Sequence, residues 1–82
     1  MSYYVYMLKS IEKKPVTYVG YTLDIKNRIK LHNNSKGAKF TRGRKWKLIY
    51  KEKCISKNEA IKREYYIKKN RKLRNKIKNK LI

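Results

Sequence analysis

Residues 3–8 read Tyr-Tyr-Val-Tyr-Met-Leu and residues 16–21 read Val-Thr-Tyr-Val-Gly-Tyr, and these two stretches decide the fold. Runs rich in aromatic and β-branched residues are typical of β-strands. The polar segment between them, Ile11 to Pro15, reads as a loop and ends in the only proline. We therefore predict a first strand over Tyr3 to Lys9 and a second over Val16 to Tyr21, joined as a hairpin.

The segment after the hairpin carries the signals of a helix. Thr22 is a candidate N-cap, and Asp24 suits a first turn, where a carboxylate meets the positive end of the helix dipole. Ile25 and Ile29 are four residues apart and therefore share one face. The pattern predicts a helix from about Leu23 to His32.

A third strand and a second helix follow. Apolar residues alternate with polar ones at Trp46, Leu48 and Tyr50, which predicts a strand ending near Cys54. Ser56 and Glu59 have the spacing of a capping box, in which a Ser at the N-cap is followed three residues later by Glu. The second helix is therefore predicted to run from this box to about Asn70.

The last predicted helix is strongly basic. Leu73, Ile77 and Leu81 recur at four-residue steps, while the other faces are almost all Lys and Arg. Residues 71–82 are thus expected to form a basic helical tail. The order β-β-α-β-α-α predicts an α+β fold, a small three-stranded antiparallel sheet flanked by helices, in one domain over residues 1–82.

Charge points to the class of partner. The 82 residues include 25 Lys and Arg but only 5 Asp and Glu, which gives a net charge of +20. A field of this size attracts polyanions, and phosphate contacts that release counterions supply most non-specific affinity for nucleic acid. We predict a nucleic-acid partner. A membrane surface is the alternative, and a Lys- and Asn-rich proteome would account for part of the excess.

Composition also excludes several classes of protein. Cys54 is the only cysteine, so an internal disulfide or a cysteine-rich zinc site is excluded and a buried thiol in a reducing compartment is expected. No segment approaches the ~20 apolar residues that a membrane span needs. The apolar start has no basic residues before it, unlike a signal peptide. We expect a soluble, cytoplasmic protein with no membrane partner.

Glu64 is the acid most suited to chemistry. The spacing predicts that it lies on the inward face of the second helix, with Ala60, Ile61, Tyr65 and Ile67 or Lys68. A lone carboxylate in such a place is costly unless it is paired or bound to metal. A salt bridge to a nearby Lys or Arg is one interpretation. The other is a Mg²⁺ site completed by water and substrate phosphate.

Tyrosines, an arginine and a histidine supply further candidates. Tyr4 and Tyr6 share one strand face and Tyr18 lies on the partner strand, where tyrosine is also a common structural residue. Arg28 and His32 are four residues apart, so they point the same way from the first helix. A solvated helix face is the alternative for this pair. Because His32 is the only histidine, any imidazole acid or base must be this one.

The loop between the first helix and the third strand is basic and contains one aromatic residue. Basic side chains around an aromatic ring fit phosphate contact combined with base stacking. A plain solvated loop is the alternative. The candidate nucleic-acid contacts are Lys36, Lys39, Phe40, Arg42 and Arg44.

In order and spacing, these residues resemble the GIY-YIG nucleases. The two tyrosine stretches, Tyr4-Val5-Tyr6 and Tyr18-Val19-Gly20, are similar to the paired motif that names the family. Arg28 and His32 match the spacing of its helix, and Glu64 is similar to its metal-binding glutamate. The resemblance runs from Tyr3 to Lys69 and is closest to the small stand-alone, YhbQ-like group. This chain has Tyr4 where the family name has glycine and lacks a proline before Trp46, which leaves substrate choice open.

The resemblance implies a fold and a reaction. Related enzymes have a three-stranded antiparallel sheet flanked by helices and hydrolyse phosphodiester bonds with a metal. By this resemblance Glu64 would hold one Mg²⁺ or Mn²⁺, and Arg28 would offset charge on the phosphate. Tyr6 or Tyr18 would help to activate the attacking water. His32 would be a helper, and the resemblance does not define its role. The basic loop and the basic tail would hold the strand.

Three functions follow as hypotheses. The first is a metal-dependent endonuclease that processes nucleic acid, DNA rather than RNA, in repair or recombination, with a protein partner that targets it. The second is a non-catalytic DNA- or RNA-binding module that keeps the fold. The third is a structural protein of a ribonucleoprotein.

Overall fold

The computed structural model describes residues 2–80, except for the side chain of Lys80. The elements follow the predicted order β-β-α-β-α-α, so the α+β prediction is confirmed. A short 3-10 helix, Lys39–Thr41, interrupts the loop before the third strand. The strands and helices are β1 Tyr3–Ser10, β2 Thr17–Thr22, α1 Ile25–Asn33, β3 Trp46–Cys54, α2 Lys57–Lys69 and α3 Arg71–Lys80.

The three strands form one antiparallel sheet in the order β2-β1-β3. Because β1 is central, its apolar run is covered on both faces, and Val5, Tyr6, Met7 and Leu8 are all buried. The pairing of β1 with β3 shifts by one residue, since Met7 faces Tyr50 whereas Leu8 faces Leu48. The alternation expected through β3 is therefore interrupted at this point.

Helices cover the two faces of the sheet. On one face, α2 and α3 pack on a core formed by Val5, Met7, Val19, Cys54, Ala60 and Ile67. Ile29 of α1 packs on the other face against Tyr6, Leu8 and Trp46. Cys54 is a free buried thiol, as expected, and burial raises the pKa of that thiol. The described part of the chain contains no helix long and apolar enough to cross a bilayer.

One helix cap agrees with the sequence and one does not. Ser56 caps α2, because its hydroxyl accepts a hydrogen bond from the Glu59 amide at 3.2 Å. The expectation that Thr22 caps α1 is wrong, because Asp24 occupies the N-cap and accepts from the Asn27 amide at 3.1 Å. The Thr22 hydroxyl instead accepts from the Asp24 amide at 3.2 Å and so fixes the cap itself.

The inward face of α2 is narrower than predicted. Ala60 and Ile67 are buried, as expected, but Ile61 and Tyr65 are exposed, so placing these two on the inward face was wrong. The sheet contacts only the stripe centred on Ala60 and Ile67, and Glu64 lies at its edge. On α3, two of the three predicted positions, Leu73 and Ile77, pack against the core. The third, Leu81, lies outside the described residues.

Candidate active site

A buried chain of hydrogen bonds begins at Tyr6. Its hydroxyl lies 2.8 Å from His32 Nε2, and His32 Nδ1 lies 2.8 Å from Thr41 Oγ1. The Thr41 hydroxyl donates to the Ala38 carbonyl at 2.8 Å, so its oxygen is left to accept from His32 Nδ1–H. The lone pair of the imidazole is then on Nε2, where it accepts the Tyr6 hydroxyl proton. This direction requires neutral His32, which is 1% exposed.

Two glycines leave room for this series of hydrogen-bonded side chains. A Cβ on Gly20 would lie 2.6 Å from the Tyr6 hydroxyl, and a Cβ on Gly37 would collide with the His32 ring. Gly20 faces Tyr6 directly across the β1–β2 pairing. Glycine is thus required at both positions because other side chains approach the backbone closely.

The pKa values of His32 and the tyrosines agree with the direction of these hydrogen bonds, in which Tyr6 donates to His32 and His32 donates to Thr41. Burial, and next the Arg28 charge, lower the pKa of His32, which favours the neutral imidazole. Burial is also the main reason that the pKa values of Tyr6 and Tyr18 lie above the ordinary value of 10.0. The Glu64 charge raises both phenol pKa values further, while Arg28 lowers them. At neutral pH both tyrosines therefore keep their protons.

Four of the candidate residues lie on one surface. Tyr6, Tyr18, Arg28 and Glu64 all line a cleft of about 550 Å³. The cleft is at the edge strand β2, beside Gly20, and the rings of Tyr6 and Tyr18 that line it are 6.4 Å apart. His32 lies behind Tyr6 as its hydrogen-bond partner. The structure thus brings together a carboxylate, a guanidinium and two phenols, the set that the sequence placed on four separate elements.

Of the carboxylates that line the cleft, Glu64 has the weakest interactions with other groups of the protein. Asp24 also lines the cleft, but its carboxylate caps α1. The Glu64 side chain is 20% exposed, and its ion pair with Lys68 spans 3.7 Å. By contrast, Glu52 accepts two hydrogen bonds from Arg63, and these lower the pKa of Glu52. The Glu64 oxygens therefore remain accessible to a further cation.

The donor set of the cleft restricts the kind of metal that fits. Among residues 2–80, no three or more His, Cys, Asp or Glu side chains group closely enough to hold an ion. In that part of the chain, a site built from three or more of these side chains is therefore excluded. A hard cation that keeps several waters and takes oxygens from one carboxylate and a phosphate fits Glu64.

Sequence comparison decides the family. The sequence pattern of the GIY-YIG catalytic domain matches residues 2–78. The chain belongs to the GIY-YIG family. This is a family of nucleases, and the resemblance seen in the sequence is confirmed.

Similar proteins agree with this membership. A UPF0213 protein of Clostridium perfringens is 54% identical over 67 residues, which are 80% of this chain and 70% of the relative. A UPF0213 protein of Bacillus licheniformis is 46% identical over 69 residues, covering 83% and 69% of the two chains. The solution NMR structure of a UPF0213 protein from Bacillus halodurans is 40% identical, with a TM-score of 0.56, and the match covers 94% of this chain and 82% of that one.

The basic loop lies beside the GIY-YIG cleft. Phe40, which is half exposed, stacks on Tyr18 with ring centroids 6.2 Å apart and planes at 20°. Lys36, Lys39 and Arg42 are exposed. Arg44 differs from them, because it pairs with Glu12 at 3.3 Å and its guanidinium lies 5.6 Å from the Phe40 ring centroid. Stacking on Tyr18 thus links the loop to the cleft.

Sequence reasoning missed three residues of the GIY-YIG site. Thr41 fixes the orientation of His32, but nothing in its spacing marks it as a partner of the imidazole. Lys57 lines the cleft from the start of α2, in a chain with too many lysines for one to stand out. Gly37 lies in the loop that follows α1. Its close approach to His32 depends on the tertiary fold.

Proposed function

We propose that this GIY-YIG domain is a metal-dependent endonuclease that hydrolyses phosphodiester bonds in nucleic acid, with DNA favoured over RNA. Support comes from the convergence of Tyr6, Tyr18, Arg28 and Glu64 on one cleft in a chain of net charge +20. The field concentrates a polyanion at the surface, and the cleft offers the groups that phosphoryl chemistry needs. A role in DNA repair or recombination, and a targeting protein partner, stay predictions.

Glu64 would hold Mg²⁺ or Mn²⁺. When bound, such an ion polarises a phosphoryl oxygen and stabilises the leaving oxygen. The distance of 3.7 Å to Lys68 exceeds that of a direct hydrogen bond, and (i, i+4) pairs of this kind contribute only about 0.2–0.5 kcal/mol. The ammonium group of Lys68 can therefore be displaced from Glu64 at little cost.

Tyr6 and His32 provide a path for the proton of the attacking water. As the water oxygen bonds to phosphorus and the bond to the leaving oxygen breaks, the water proton passes to the Tyr6 oxygen. The Tyr6 proton passes at the same time to His32 Nε2, 2.8 Å away. No free phenolate is formed, and the raised pKa of Tyr6 therefore does not prevent the step. Thr41 holds the Nδ1–H of the resulting imidazolium, and the leaving oxygen takes a proton from solvent.

Arg28 would bind the phosphate that reacts. Its guanidinium group presents a planar set of donors that matches phosphate oxygens and offsets the charge that develops on them. In the free protein the same charge lowers the pKa of His32. A bound phosphate would neutralise part of this charge and make His32 a better proton acceptor. Substrate binding and proton transfer are thus coupled through Arg28.

The experiment is a cleavage panel with single-stranded, duplex, flap and RNA substrates in Mg²⁺ or Mn²⁺. Wild type is compared with Glu64→Gln and Tyr6→Phe, and with Glu59→Gln as the matched control on the same helix. We expect Glu64→Gln to lose cleavage while it keeps binding, since the substitution removes one of 5 acidic side chains and leaves all 25 Lys and Arg in place. Glu59→Gln should cleave like wild type.

Three results would contradict the proposal. Metal-dependent cleavage by Glu64→Gln at the wild-type rate would remove the carboxylate from the reaction. Salt-sensitive binding with no product from any substrate would leave a binding module that keeps the GIY-YIG fold. Co-purification with RNA and no product would favour a ribonucleoprotein component.

A further inference from the structure

Two neighbouring tyrosines on α2 face solvent instead of the core. Tyr65 is 57% exposed and Tyr66 is 51% exposed. A domain this small has only a small core, so it gains stability from each large side chain that it buries. They border an open pocket of about 520 Å³ where α2 meets α3, within the range of roughly 300–1,000 Å³ found for small-ligand sites. We name this surface the tyrosine platform; it is lined by Tyr65, Tyr66, Lys69, Asn70, Arg71 and Lys72.

The platform rings are already paired with cations. Lys69 Nζ lies 4.5 Å from the centroid of the Tyr65 ring, and Arg63 Cζ lies 5.0 Å from the centroid of the Tyr66 ring. Asn70 Nδ2 donates to the Tyr66 hydroxyl at 3.4 Å, which holds that ring at the junction of the two helices. The rings are therefore oriented while a large part of each remains open to a ligand.

We propose that the tyrosine platform binds unpaired nucleotides of a nucleic-acid strand. Bases stack on Tyr65 and Tyr66, and the adjoining phosphates contact Lys69, Arg71 and Lys72. Stacking on aromatic rings beside cationic side chains is the physical basis of single-strand binding, because every base has a flat face whereas paired bases are covered by their neighbours.

Charge complementarity favours this occupant over a protein or a second copy of the chain. In residues 57–80 the only acids are Glu59 and Glu64, and Glu64 lines the cleft. A second copy would bring the same excess of positive charge against the platform. A nucleic-acid strand has one phosphate for each base, so its bases can stack on the rings while its phosphates contact the cationic side chains.

The platform lies next to the cleft on the same helix. An α-helix has 3.6 residues per turn, so Tyr65 projects about 100° round the axis from Glu64. Exposed Ile61 and Lys68 lie between these two directions. For the nuclease proposed above, and resting on that function, unpaired nucleotides on the platform would place the substrate strand beside Glu64.

The test is binding of a short oligothymidine that carries one 2-aminopurine, in EDTA so that cleavage does not enter. Stacking quenches 2-aminopurine fluorescence. We expect the double variant Tyr65→Ala/Tyr66→Ala to bind this single strand at least about tenfold more weakly than wild type and to lose the quenching. Affinity for duplex of equal length should change by less than about twofold, because the cations that bind phosphate remain.

Two further variants keep the test decisive. Tyr65→Phe/Tyr66→Phe retains the rings and should bind like wild type, and Tyr65→Leu/Tyr66→Leu retains apolar area without flat rings and should bind like the alanine variant. Wild-type single-strand affinity in the leucine variant would overturn the proposal. So would an equal loss for single strand and duplex, or a dimer that dissociates in the variants while oligonucleotide affinity is unchanged. Because no metal is present, none of these outcomes depends on whether the protein cleaves.

Discussion

Replacing Gly20 with alanine should displace the Tyr6 hydroxyl and disable the cleft without unfolding the protein. The added Cβ would lie 2.6 Å from that hydroxyl and 3.1 Å from a carbon of the Tyr18 ring. Tyr6 is buried and its hydroxyl is bonded to His32, so its ring cannot turn away freely. Relaxing the shortest contact to the 3.4 Å of ordinary van der Waals contact moves the hydroxyl by about 0.8 Å.

The size of the effect follows from this displacement. Overpacking a core costs about 1–3 kcal/mol, while alanine is favoured over glycine inside a strand by about 0.5–1 kcal/mol. We therefore expect Gly20→Ala to lower the free energy of unfolding by about 1 kcal/mol. A reacting group misplaced by nearly 1 Å loses on the order of 100-fold in rate. Activity should thus fall far more than stability.

The assay combines urea unfolding, single-turnover cleavage and the nitrogen-15 shift of His32 Nε2. Gly43→Ala is the control, because Gly43 has a φ of 76° and nothing lies within 4 Å of its added Cβ. Its backbone strain costs about 1–2 kcal/mol, a loss of stability similar to that of Gly20→Ala. The control should cleave like wild type. Wild-type cleavage by Gly20→Ala, with the His32 Nε2 hydrogen bond intact, would refute the role given to the Tyr6–His32 contact.

Other perturbations test the pH response, the metal site and the helix cap. Because burial and Arg28 hold the pKa of His32 below 6.5, the unfolded chain binds this proton more readily than the folded protein. The contribution of neutral His32 to the free energy of unfolding is fully present above roughly pH 6.5 and is lost as the pH drops through the lower folded-state pKa. In urea unfolding, the free energy of unfolding of His32→Gln should therefore fall less steeply than that of wild type from about pH 7.5 to about pH 5. Lys68→Met removes the ammonium that competes for Glu64; calorimetry should show Mn²⁺ binding about twofold tighter, and weaker binding would assign Lys68 another role. Ser56→Ala should cost about 1 kcal/mol in urea unfolding through loss of the α2 cap, and no change would contradict the importance of that cap.

Local patterns identified most of the fold correctly. The strand runs, the Ser56 cap and the apolar steps at Leu73 and Ile77 all depend on interactions within a few residues of the chain. Such interactions are visible in sequence because their spacing is fixed by the geometry of the element. The order of the elements followed from them.

Positions that depend on how elements meet were not predictable in the same way. Ile61 and Tyr65 fit the helical period of α2 but lie outside the stripe that the sheet contacts. The one-residue shift opposite Met7 and the choice of Asp24 over Thr22 as cap are likewise set by neighbouring segments. Helical periodicity shows which side of a helix faces the core, but it does not show how wide the buried stripe is.

The candidate site shows the same division. Glu64, Arg28 and the two tyrosines were identified by order and spacing, and the structure places them on one cleft. The direction of the Tyr6–His32 hydrogen bond depends on a threonine from the loop. Its role could not be seen before the loop was folded against α1.

Paramagnetic NMR with Mn²⁺ tests the metal site most directly. In the nitrogen-15-labelled protein, with a non-cleavable phosphorothioate strand bound, substoichiometric Mn²⁺ should first broaden resonances around Glu64, Tyr6 and Tyr18. Glu64→Gln should abolish this broadening, while Glu59→Gln should keep it. Broadening centred on Glu52 or Glu12, or an unchanged pattern in Glu64→Gln, would show that the cation binds elsewhere and that the cleft does not anchor it.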